Sequence, residues 1–334
     1  MSKKIKDTDY LALSSRIKAM ETRLLSQSRM EQILEARSDE EAAKLLQECG
    51  YGELTSDRPE ELDRVLAASR EAMLADLSAA APDPRYIEIF KMKYDYHNAK
   101  VLLKAQARGV DPASMLSDMG RVDVEKLREA VENAHWTELP DCLGQAIAQA
   151  KEVLDTTGDP QLSDVTLDRW YYREMLETAQ GTGSDFLLGY VRAVIDAANL
   201  RTLVRILRMG KGAGFLRSAL IEGGSVSVSA LLAVGSAGGS GLAELYASTS
   251  MQEAAESGAA ALSGGALTAF EKLCDDAVER YLAGAKYVPF GEAPLVGYLA
   301  ARETEYTNLR ILFIGRRLGL NAETIRERLR EAYV

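Results

Sequence analysis

Three of the five asparagines in this chain stand in one and the same context. Asn98 lies in Lys93-Tyr94-Asp95-Tyr96-His97-Asn98-Ala99-Lys100-Val101-Leu102. Asn199 lies in Val194-Ile195-Asp196-Ala197-Ala198-Asn199-Leu200-Arg201-Thr202-Leu203, and Asn308 in Thr304-Glu305-Tyr306-Thr307-Asn308-Leu309-Arg310-Ile311-Leu312. Each has an acid three residues before it, a base two after, a leucine four after and a glycine eleven after: Gly109, Gly210 and Gly319. With 50 acids and 26 glycines among 334 residues, acid and glycine should coincide by chance at roughly one asparagine in 100. Three of five therefore mark an internal repeat, and a repeat constrains the fold more than any single motif does.

The spacings between these asparagines, 101 and 109 residues, make each copy about a third of the chain. We expect three repeat domains: 1–110, with the N-terminal helices, 111–214 and 215–334. Weaker marks extend the pattern. Leu62-Asp63-Arg64 and Leu167-Asp168-Arg169 precede their asparagines at similar distances, and Leu273-Cys274-Asp275 departs by one residue and the lost arginine. Downstream, Gly120-Arg121-Val122-Asp123-Val124 resembles Gly224-Ser225-Val226-Ser227-Val228, with Leu127 and Leu231 following.

Start and stop signals make each asparagine segment a helix of about 24 residues, roughly 36 Å long. The first follows Pro82-Asp83-Pro84, the second Ser184-Asp185, and the third carries Pro294 soon after Gly291. Such residues cap free N–H groups or lose no bond in a first turn. Gly109, Gly210 and Gly319 suit left-handed C-caps, and Arg108, Arg205, Arg208, Arg316 and Arg317 place cations where they offset the helix dipole. Apolar spacing elsewhere is also helical: Ile17, Met20, Leu24 and Leu25 form one face, Leu127, Ala130, Val131 and Ala134 another. Val226 and Val228 alternate over too few residues for a strand, so the expected fold is all-α. The stretch Val226–Leu262, rich in Gly, Ala and Ser, reads as a loop, with Gly235–Gly241 as its flexible part.

A net charge of −10 disfavours nucleic-acid binding, which needs cations to displace phosphate counterions. Cys49, Cys142 and Cys274 are sparse and lack metal-finger spacing, as expected of free buried thiols in a reducing compartment. The start, Met1–Asp9, is polar, unlike a signal peptide. Val226–Leu245 is interrupted by Gly and Ser and makes a poor membrane span.

On a helix, positions i and i+3 share a face. Asp95/Asn98, Asp196/Asn199 and Glu305/Asn308 thus each place a carboxylate beside an amide. Three carboxylates could build a catalytic or metal site. Copies a hundred residues apart belong to separate structural units, however, and asparagine is a poor acid or base. We expect hydrogen-bond networks fixing each long helix to its surroundings. His97 is replaced by Ala198 and Thr307 in the other copies, and His135 has no second ligand at metal spacing. Gly210-Lys211-Gly212-Ala213-Gly214 lacks the phosphate-loop pattern. Trp170-Tyr171-Tyr172 reads as packing. No cofactor and no catalytic residue is expected.

Four segments carry a family resemblance. Tyr10–Glu21 through Leu24-Leu25 resembles the opening of the C subunits of the V/A-type rotary ATPases, known as d subunits in the vacuolar enzymes. Ile89–Leu103 is similar to that family's first repeated helix. Leu216–Leu231, with Ile221-Glu222-Gly223-Gly224-Ser225, is similar to its central turn, and Ala301–Leu312 is the most specific match. The resemblance implies three helical domains around a pseudo-threefold axis, forming a funnel. It also implies partners: the central-stalk subunits of the soluble head and the proteolipid ring of the membrane sector. The implied role is non-catalytic coupling of rotation to proton or sodium transport, from a cytoplasmic, peripheral position without a membrane span. A helical-repeat scaffold for cytosolic assemblies is the alternative.

Overall fold

The computed structural model describes residues 5–54 and 59–334. The first four residues of the polar N-terminal stretch lie outside them. Among the described residues there are α-helices and short 3-10 turns and no strand, so the fold is all-α. No described helix is long and apolar enough to cross a membrane.

The three asparagine segments form the long helices. The first spans Arg85–Arg108, the second Asp185–Arg208 and the third Ala293–Arg317. Each begins as its sequence dictates. The Asp83 carboxylate accepts the Arg85 N–H at 3.0 Å, Ser184 Oγ accepts from Leu187 N–H at 3.0 Å, and Pro294 occupies the first turn of the third helix.

Each ends in the same Schellman motif, in which the N–H groups after the last turn reach back to carbonyls that have no partner within the helix. Gly109, Gly210 and Gly319 all have φ near +65 to +68°. Their N–H groups donate to Gln106, Leu207 and Arg316, and the following residues, Val110, Lys211 and Leu320, donate to Ala105, Ile206 and Gly315.

The described chain divides into two compact units. One is Glu88–Gly264. Its core joins Tyr96, Leu102 and Leu103 of the first long helix to Leu127, Leu143, Ile147 and Leu167 of the helices that follow. The Asp141–Thr157 and Pro160–Thr182 helices pair across the left-handed turn at Gly158. The second long helix buries Leu187, Val191, Ile195, Leu200, Leu203 and Val204.

The other unit is Met1–Ile87 with Gly265–Val334, so the two ends of the chain share one core. Leu25, Ile33, Leu46, Leu62 and Leu66 from the early helices pack on Tyr306, Leu309, Leu312 and Ile325. The first half of the third long helix, Ala293–Ala301, is buried throughout, as a helix apolar on all faces requires.

Two local expectations fail. Val226–Leu262 is largely helical: Val228–Ser236, Leu242–Tyr246 and Gln252–Leu262. Ser227 caps the first of these by accepting from Ala230 N–H, and only the Gly238–Gly241 turn uses glycines at positive φ. The two predicted faces are also shorter than expected. The first N-terminal helix ends at Glu21, before Leu24 and Leu25, and Ala134 is an exposed left-handed residue ending its helix.

Candidate functional site

The three asparagines make one contact three times. Asn98 Oδ1 accepts the Ser117 N–H at 2.9 Å while its Nδ2 donates to the Ser117 carbonyl at 2.8 Å. Asn199 treats Ile221 identically, at 2.8 and 2.7 Å, and Asn308 treats Arg330 identically, at 2.8 and 3.1 Å. A side-chain amide offers one acceptor and one donor side by side, the complement of a single residue's N–H and C=O. Each long helix therefore grips, at one backbone position, a segment that lies 19 or 22 residues beyond its asparagine. All three side chains are buried: Asn98 and Asn199 are 0% exposed and Asn308 1%.

In the first two copies the acid completes the grip four residues further on. Asp95 Oδ1 accepts the N–H groups of Arg121 and Val122 at 2.9 and 3.1 Å. Asp196 Oδ1 accepts those of Ser225 and Val226 at 2.8 and 3.3 Å. The glycine preceding each pair is obligatory for packing. A Cβ on Gly120 would collide with Asp95 Oδ1, and one on Gly224 with Asp196 Oδ1. Burial pushes both carboxyls above the usual carboxylate range. Arg121 opposes this at Asp95, and the Ser225 hydroxyl and the two N–H groups oppose it at Asp196.

Arg121 also joins Asp95 to Glu174. Its Nε meets Asp95 at 2.6 Å, its Nη1 meets Glu174 at 2.6 Å, and the Tyr96 hydroxyl donates to Glu174 at 2.8 Å. Sequence reading missed this cluster, because neither Arg121 nor Glu174 recurs at the matching place of another copy.

The third copy departs. Glu305 accepts the Leu25 N–H at 2.5 Å and bonds the Tyr51 hydroxyl and the Arg302 guanidinium, so it holds the N-terminal segment instead. The segment gripped by Asn308 takes its second anchor from another helix: Asp276, on Leu267–Leu282, accepts the Glu331 N–H at 2.8 Å.

In the first and third copies the base after the asparagine pairs with an acid far from it in sequence. Lys100 Nζ meets Asp168 at 2.5 Å, and Arg310 meets Asp63 at 3.2 Å. Both acids belong to the Leu-Asp-Arg marks. The remaining candidates resolve into packing. The His97 ring bonds the Met115 carbonyl at 3.0 Å, Tyr171 packs edge-on against Tyr96, and Trp170 donates to Gln149 at 2.6 Å. Asp95 and Asp196 belong to one compact unit and Glu305 to the other. No group of three or more His, Cys, Asp or Glu side chains among the described residues is placed to hold a metal ion.

Comparison with known proteins places these features in context. Residues 13–328 match the model of the ATP synthase (C/AC39) subunit family. The chain is 28% identical over 326 residues to the C subunit of the V-type sodium ATPase of Enterococcus hirae, covering 97% of this chain and 99% of that protein. It is 26% identical over 349 residues to the C subunit of the A-type ATP synthase of Methanocaldococcus jannaschii, covering 96% and 86%. A shorter match, 25% over 209 residues, covers 60% of the chain and 64% of the C subunit of the V-type ATP synthase of Thermus thermophilus.

Proposed function

The chain belongs to the ATP synthase (C/AC39) subunit family, and from that premise we propose that it couples a rotating central stalk to a membrane proteolipid ring. It is a component of a rotary ATPase, not itself catalytic. On this reading it is the counterpart of the vacuolar d subunit, and its partners are the stalk subunits of the soluble head and the ring. It works at the cytoplasmic surface while ATP turnover and ion passage take place in other subunits.

The observation that carries the reading is the grip made three times. A coupler must transmit torque without its helices sliding. Binding both the N–H and the C=O of one residue fixes a helix to its downstream segment in position and in register. A second feature argues against a linear array of the repeats, taken as 1–110, 111–214 and 215–334. The base on the first long helix pairs with the second Leu-Asp-Arg mark, and the base on the third pairs with the first mark. A linear solenoid contacts only sequence neighbours, so its last repeat would not reach its first.

The ends of the long helices supply surface for partners. Beside the left-handed glycines stand exposed Val110 (51%), Met209 (54%) and Leu318 (69%). A tagged chain expressed with its rotary complex should bring down stalk and ring subunits together. Recovery of the chain alone, from membranes that contain the assembled complex, would sink the assignment.

A further inference from the structure

After the short Ala322–Arg326 helix the chain ends in a segment, 327–334, with no helix of its own. Polar bonds fasten it. Asn308 holds the Arg330 backbone, Arg330 Nε meets Asp275 at 2.8 Å, Asp276 holds the Glu331 N–H, and the Tyr333 hydroxyl donates to Glu21 at 3.3 Å. Tyr333 is buried and fits the notch left by Gly297, where a Cβ would crowd its hydroxyl.

Beside this segment is a buried carboxyl that nothing else in the fold explains. Glu279, on the Leu267–Leu282 helix, accepts from the Thr304 hydroxyl through Oε1, while its Oε2 is buried with no hydrogen-bond partner among the described residues. Its surroundings are mostly acidic. Asp275 and Asp276 flank it on its own helix, and Glu331 faces it from the terminal segment. Arg330 is engaged with Asp275, and Arg280 stands 3.5 Å from Glu331. Further out, Glu21 is tied to Lys18 at 3.1 Å and Lys286 lies 4.8 Å from the Tyr333 ring centroid. Glu305, next to Thr304, is occupied by Leu25, Tyr51 and Arg302.

We propose that residues 327–334 form a proton-linked latch, docked while Glu279 is protonated and loosened when Glu279 ionises beside it. A charged carboxylate in that position, with one oxygen bonded only to Thr304 and the other unpartnered, is relieved by water. Lifting the segment takes Glu331 away from Glu279 and opens to water the small pocket that Ala332 and Tyr333 line together with Thr304.

The pH range follows from the carboxyl itself. Burial, reinforced by Asp275, Asp276 and Glu331 and opposed by Thr304, pushes Glu279 up to about 7, against 4.5 for the hydrated group. The docked form therefore holds a proton that the lifted form has lost. Docking is strongest below about pH 4.5, weakens by up to about tenfold per pH unit as pH rises towards 7, and is level above. The latch stands independently of the coupling assignment.

Hydrogen exchange of the intact chain, corrected for intrinsic rates, tests it between about pH 5 and pH 8. Protection of the amides of Arg330 and Glu331 should fall about tenfold or more across that range, while amides of the buried third long helix do not follow. E279Q keeps the shape and removes the ionisation, so its terminal segment should stay protected throughout. Should E279Q fold poorly, carboxyl NMR of the unmodified chain should find one glutamate titrating near 7. Truncation after Arg328 should return that glutamate to the ordinary range. Protection that ignores pH, an E279Q response equal to that of the parent chain, or no glutamate titrating near neutrality would overturn the latch.

Discussion

Replacing Asn199 by alanine removes the side chain that bonds both backbone groups of Ile221. The Asn199–Ile221 bonds, 2.7 and 2.8 Å long, are buried at both ends, whereas those of Asn98 and Asn308 are partly exposed. Alanine leaves one buried N–H and one buried C=O without partners, and each such group costs about 1–3 kcal/mol. The void can admit a water that recovers part of this, so the expected loss is about 2–4 kcal/mol. Both tryptophans, Trp136 and Trp170, lie in the Glu88–Gly264 unit. Urea unfolding followed by tryptophan fluorescence therefore reports the unit in which the bonds are lost. Asn308→Ala acts in the other unit and should move the fluorescence transition far less than it moves unfolding followed by circular dichroism. Exchange of the Ile221 and Ser225 amides should accelerate in Asn199→Ala before global unfolding. A loss below about 0.5 kcal/mol, the scale of an ordinary surface change, with those amides still protected, would refute the reasoning.

Four further outcomes can be measured. Gly224→Ala forces a Cβ onto Asp196 Oδ1 and should cost about 1–3 kcal/mol in urea unfolding. Gly214→Ala, in a helix with open space around it, should instead stabilise by about 0.5–1 kcal/mol. Arg302→Met strips the buried partner from Glu305 and should cost about 3–5 kcal/mol, while Glu305→Gln should cost less because it can still accept from Leu25. Substituting lysine for Val110, Met209 and Leu318 together should leave the thermal midpoint nearly unchanged but reduce co-purification of partner subunits. Undiminished assembly would remove those helix ends from the proposed contact surface.

The long helices were legible because their defining residues do backbone chemistry that tolerates no substitute. Only a side-chain amide pairs with N–H and C=O of one residue, and only glycine takes the left-handed end cheaply. Those two demands keep Asn and Gly eleven residues apart in all three copies. The residues that the asparagines grip were illegible for the complementary reason, although the glycine turns beside two of them were not. Ser117, Ile221 and Arg330 present only their backbone to the asparagine, so their side chains are free to differ. Glycine content misled the reading of Val226–Leu262. Gly235, Gly238, Gly239 and Gly241 resemble a linker by composition, yet the alanine and leucine around them favour helix, and a serine cap with one tight turn suffices. Glu305 carried a hint in being glutamate where the other copies have aspartate. The longer side chain serves Leu25 and Tyr51 in place of the terminal segment, a role set by tertiary packing and invisible in local spacing.

The coupling role is tested most directly by ATP-driven ion transport in vesicles carrying the rotary complex with and without this chain. The account predicts that complexes lacking it still hydrolyse ATP at the soluble head but move no ions, and that adding the purified chain restores transport. Transport that proceeds undiminished in its absence would contradict the account.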